Sequence, residues 1–162
     1  MTDFIQLKKD NILRLGIKTQ DGRDTGEYLE FDLEDIELPL KYQDLLEKDK
    51  KNKENIRNQM IIIDKKQDVK GNKLMSKNEE NKIRALNDFF RKEAEIYNIF
   101  LGTNGIQKLL NGRKLGWTSL QEVDEIIEKQ IKPYLDLSMT KITDKVKEKY
   151  SQAVARNKEV LK

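Results

Sequence analysis

The chain has 162 residues, 36% hydrophobic and 38% charged, with neither cysteine nor histidine. That length carries one domain with a real core and leaves little for a second. The missing residue types exclude disulfides, thiolate metal sites, His-assisted nucleophiles and the usual general base near neutral pH. The net charge of +3 is unevenly spread: residues 24–37 hold seven acids and no base, the last 22 residues hold seven bases and three acids, and without those 22 the chain would stand at −1.

No apolar run approaches the roughly 18 residues that a membrane span needs; the longest is MIII at 60–63. The N-terminal stretch MTDFIQLKKDN lacks the hydrophobic region of a secretory signal, which leads us to expect an intracellular protein.

In chain order, ILRLGIK (12–18) and EYLEFDL (27–33) alternate apolar and polar residues with period two. TQDGRDTG, dense in Asp and Gly, lies between them. The pattern predicts a β-hairpin over about residues 11–33. The twelve residues DGRDTGEYLEFD place glycine sixth, as a calcium loop does, but Arg23 stands at the third position, where a carboxylate or Asn is needed. A hairpin turn is the better reading.

Pro39, preceded by acids, predicts a helix starting nearby. Tyr42, Leu45 and Leu46 form its apolar patch, and Ile56, Met60 and Ile63 resume the stripe. Between them EKDKKNKEN (47–55) has no apolar residue and reads as a solvated helix stretch or a mobile loop. Residues 66–81 are polar and contain Gly71, as a loop does.

Ser76 with Glu79 has capping-box spacing and opens a helix over about 77–101. Ile83, Leu86, Phe90, Tyr97 and Leu101 share one face, and Phe89, Ile96 and Phe100 widen it. So broad a stripe marks the central core helix.

LGTNGIQKLLNGRKLGWTSL (101–120) holds four glycines and the single tryptophan. It fails as a phosphate loop, because Gly105 is followed by Ile106 and the segment follows a helix rather than a strand. Its glycines suit chain reversals. Gly102 is placed to end the central helix in a left-handed conformation, Gly112 to end a short helix at 104–110, and Gly105 and Gly116 to complete the two turns around Trp117, the plug of the corner. A helix follows at 118–131, capped by Thr118 or Ser119, with Glu122 at capping-box distance from Ser119. Pro133 is expected to break or kink the chain. Leu135, Met139, Ile142, Val146 and Tyr150 then define a C-terminal helix whose stripe thins beyond Ser151 to Ala153, Val154 and Val160.

The whole reads as one α+β, predominantly α-helical domain over 1–162: a hairpin segment at 1–38, a helical core at 39–135, and a basic C-terminal helix at 136–162 whose end is expected to fray. Carboxylates such as Glu34/Asp35 and Asp124/Glu125 are sequence neighbours that face different directions on a helix, and no acid/base pair in a dry pocket is apparent. No catalytic residue, cofactor or metal ligand is assigned.

Three segments, FDLEDIELPLKY, ALNDFFRKEAEIYNIFLGTNGIQKLLNGRKLGWTSLQEVDEII and the Pro-containing stretch that follows, resemble tail assembly chaperones of phages and prophages of Gram-positive bacteria. The matching positions are Asp88 to Phe90, Gly102 to Gly105, Lys108 to Lys114, and Leu120 to Glu125. Residues 47–55 and the basic C-terminus lie outside the resemblance. It implies a non-enzymatic protein in the cytoplasm of the bacterial host. Such a protein binds the long helical tape measure protein, keeps it soluble, and leaves as tail tube subunits arrive. A structural tail or tail-completion protein and a nucleic-acid-binding regulator are the alternatives, the latter disfavoured because the basic tail is interleaved with acids and has one nearby aromatic. Candidate partner-binding residues are Tyr42, Leu45, Met139, Ile142, Val146 and Tyr150. The charge asymmetry between 24–37 and 141–162 also admits head-to-tail self-association.

Overall fold

The computed structural model describes residues 1–6 and 11–160, with side chains placed through Ser151. The expected side-chain stripe at Ala153, Val154 and Val160 lies outside them. The order is β1 (Ile12–Lys18), β2 (Asp24–Asp32), α1 (Glu37–Lys65), α2 (Lys77–Leu101), α3 (Gly105–Leu110), α4 (Trp117–Ile126), a π-helical turn (Ile127–Ile131) and α5 (Lys132–Val160). The fold is α+β and predominantly helical, with the hairpin first.

The strands pair antiparallel, Leu13 opposite Phe31 and Leu15 opposite Leu29. Period two turns Ile17, Leu29 and Phe31 inward, and all three are buried. Thr19, Asp21 and Arg23 close the turn: Thr19 N–H donates to the Arg23 carbonyl at 2.7 Å, and Arg23 pairs with Asp21 at 2.8 Å. Asp21 is thus consumed by the turn, as the hairpin reading requires.

α1 opens at Glu37, whose N–H donates to the Asp35 side chain at 2.9 Å, so Pro39 sits in the first turn where it is tolerated. The helix runs unbroken through residues 47–55. The polar stretch is therefore helix and not loop, and it is not wholly solvated, because Asn52 is buried.

α2 begins as expected, with the Ser76 hydroxyl accepting from Glu79 N–H at 3.2 Å. Its buried line is Phe89, Glu93, Ile96, Tyr97, Phe100 and Leu101; Ile83, expected inward, is exposed near the start of the helix. Phe100 lies 5.4 Å from both Phe31 and Tyr42, ring centre to ring centre, and so joins hairpin, α1 and α2 in one core. Leu110, Leu120, Val123, Ile127, Ile131 and Leu135 complete that core from α3 to α5.

The glycine-rich corner differs from expectation in four details. Gly102 has φ 95° and ψ 174°. The positive φ was anticipated, but the extended ψ puts it in a region that is essentially glycine-only rather than in the left-handed helical well. Asn111 takes the cap position of α3 in the left-handed helical region, with φ 48° and ψ 54°, one residue before Gly112, whose φ of 88° is positive as expected. α4 starts at Trp117 behind Gly116, so neither Thr118 nor Ser119 is its cap. Ser119 instead reaches back and accepts from Gly116 N–H at 2.8 Å, which leaves no capping box with Glu122. Trp117 does not plug the corner: it is 55% exposed and lies over Phe89 and Phe90 at 5.2 and 4.9 Å.

Pro133 neither breaks nor sharply ends the helix. A proline ring collides with the carbonyl four residues back, here Lys129, and leaves it without a donor. Lys129 lies inside the π turn Ile127–Ile131, whose wider winding relieves that collision and lets α4 pass into α5.

Candidate partner-binding groove

The segment between β2 and α1, with Asn11 beside it, forms a ledge against which α5 is anchored at one end. Leu135 is buried in the core, and the Ser138 hydroxyl donates to the Leu33 carbonyl. One turn further, Ile142 is half-buried, and from Thr143 to Ser151 every residue is exposed. α5 thus starts in the core and continues beyond it.

Ledge and helix enclose an open groove of about 670 Å³. Its floor and ledge side are Asn11, Leu33, Glu34 and Ile36. Its other side is α5, which contributes two ridges at four-residue steps. One is Tyr134, Ser138, Ile142, Val146 and Tyr150, and the other is Leu137, Lys141, Lys145 and Lys149. Ile36, Leu137, Val146 and Tyr150 are each more than half exposed. An apolar trough is therefore edged along one side by three ammonium groups. Among the described residues no ion pair engages these lysines.

Of the six residues singled out for partner contact, Ile142, Val146 and Tyr150 line this groove. Met139 is exposed on α5 outside it. Leu45 offers no surface: it is 3% exposed and part of the core, because α1 turns that face onto α2. Tyr42 is half-buried beside Phe100, and burial raises its phenol pKa. Sequence reasoning missed Ile36, Tyr134 and Leu137. The first stands alone between acids, and the other two follow a proline expected to interrupt the helix.

A second cleft, of about 640 Å³, runs between the hairpin turn and the α3–α4 corner. Its two arginines are already partnered, Arg23 by Asp21 and Arg113 by Glu122 at 3.8 Å. No cluster of acids among the described residues is arranged to hold a metal ion, and no helix among them is long and apolar enough to cross a membrane.

The expectation that no carboxylates meet in a dry pocket is overturned. Asp49 of α1 and Glu93 of α2 come together in the interior, flanked by Asn52, Lys53, Tyr97 and Asp124. Glu93 is fully buried. Burial, and then the adjoining Asp49, raise its pKa to about 8. Asp124 is raised by burial, while Tyr97, whose hydroxyl donates to it, is raised by burial and by that bond. The pair escaped notice because its members are far apart in the sequence. Glu93 does, however, sit at helical spacing within an otherwise apolar stripe, and that was the available signal.

No family model, curated protein or solved structure matches this chain.

Proposed function

We propose that the protein is a non-enzymatic phage tail assembly chaperone whose α5 groove holds helical segments of the tape measure protein and keeps them soluble. The observation that supports this reading is an exposed apolar trough bordered by Lys141, Lys145 and Lys149. An amphipathic helix lays its apolar face into such a groove, and acids beside that face would meet Lys141, Lys145 and Lys149. An apolar trough left open in the free protein suits a holdase, which needs surface available before its client arrives. The family resemblance supplies the identity of the client and the bacterial cytoplasm as the place of action.

Coexpression with the tape measure protein encoded by the same phage or prophage tests the proposal. The tape measure protein should move from the insoluble to the soluble fraction and copurify with the chain. A client equally insoluble with and without it contradicts the reading. Head-to-tail association of the basic helix with the acidic hairpin of another copy is a separate proposal. Light scattering should show oligomers that shrink in high salt and on truncation at Met139, and a monomer at every salt concentration rules it out.

A further inference from the structure

Two interior oxygens, Oδ1 of Asp49 and Oε2 of Glu93, have no hydrogen-bond partner when both side chains are written as carboxylates. Each is an acceptor only in that form, and leaving both orphaned in a dry interface is costly. Their remaining oxygens are accounted for. Glu93 Oε1 accepts from Asn52 Nδ2 at 2.8 Å, and Asp49 Oδ2 accepts from Lys53 Nζ at 3.0 Å. Asn52 also donates to the Phe89 carbonyl at 3.2 Å. One added proton satisfies both orphans: Glu93, as the carboxylic acid, donates through Oε2 to Asp49 Oδ1. The line Lys53–Asp49–Glu93–Asn52 is then fully paired.

We propose that Asp49 and Glu93 share one proton and form a proton-operated latch between α1 and α2. It lies in the interior between those helices and is independent of the client reading. With the proton in place, the latch fastens the polar middle of α1, which has no apolar residue between 47 and 55, to the central helix. Once the proton is lost, two adjoining carboxylates face each other where water does not reach, and the helices are pushed apart. The ionisable groups facing Glu93 are Asp49 and Lys53 from α1, Tyr97 from α2 itself and Asp124 from α4. Lys53 is one cation against three carboxyl groups. Its own pKa is lowered by burial but raised overall by the Asp49 hydrogen bond and charge.

The sign follows from linkage. Glu93 holds its proton to about pH 8 in the folded chain and to 4.5 in the unfolded one. Between those values the native state binds the extra proton, so stability falls as pH rises through this window and levels off above it.

The test is the Glu93 side-chain carboxyl carbon followed by NMR from pH 4 to 10, with melting temperature measured in parallel for the parent, Glu93→Gln and Asp49→Asn. The parent carboxyl should titrate near pH 8, well above 4.5. Glu93→Gln keeps a donor toward Asp49 and an acceptor for Asn52, so its melting temperature should gain on the parent progressively across that window. In Asp49→Asn, the Glu93 titration should move to lower pH, because the neighbouring charge is gone. A Glu93 carboxyl that titrates at its ordinary value in the folded parent overturns the proposal without recourse to either variant. A parent-minus-Gln melting difference independent of pH overturns it as well.

Discussion

The chain reversal between α2 and α3 rests on two single residues. Gly102 occupies φ 95° with ψ 174°, a conformation that a side chain with a Cβ scarcely reaches. A Cβ on Gly105 would fall 2.6 Å from the Leu101 Cβ, so here the constraint is close approach. Asn98 holds the same corner, its Oδ1 accepting from Ile106 N–H at 2.8 Å. Gly102→Val should therefore lower stability by about 1–3 kcal/mol in denaturant titration; a variant that unfolds with the parent would contradict this conformation. Leu45 and Tyr150, once grouped as partner contacts, now separate. Leu45→Ala should cost about 2–5 kcal/mol as a core truncation. Tyr150→Ala, on an exposed surface, should change stability by no more than about 0.5 kcal/mol. Equal losses in the two would contradict the burial that distinguishes them.

Among the elements, the unbroken course of α1 is the most exacting point. Lys51 is exposed within the polar stretch, so Lys51→Pro probes the backbone with little change in packing. Proline inside a helix costs about 3 kcal/mol or more, whereas a mobile loop would absorb it. Unfolding should show the full loss, and an unchanged midpoint would restore the loop reading. The hairpin, α2 and the C-terminal helix were legible because each carries a strong local period: two in Leu29/Phe31, and three to four along Phe89 to Leu101. What the sequence hid was non-local. Asn52 and Glu93 reveal their partnership only when α1 and α2 are laid side by side. Pro133 reads as a breaker until the π turn before it is seen to absorb the collision. Ser119 has the composition of a cap, yet with Gly116 ahead of Trp117 it acts from the third helical position. The ledge of Leu33, Glu34 and Ile36 lies about a hundred residues from α5 in sequence, so the groove could be anticipated only on its helical side, at Ile142, Val146 and Tyr150.

At the scale of the whole molecule, the acidic and basic segments meet, among the described residues, at the groove. Glu34 borders the groove with Lys141 and Lys145, while α5 continues beyond the core with its charges exposed. Attraction between those lysines and an acidic client should weaken with salt, because exposed charges are screened beyond roughly 8–10 Å near physiological ionic strength. The apolar trough should retain part of the affinity. The most direct measurement is calorimetric titration of the tape measure protein's helical segments into the parent, Val146→Asp and Ile62→Asp. Val146 lines the groove, whereas Ile62 is a comparably exposed residue of α1 outside it. Binding by the parent and by Ile62→Asp, with at least tenfold weaker binding by Val146→Asp, is the predicted result. Equal affinity for all three proteins, or no binding by the parent, would contradict a client seated in the α5 groove.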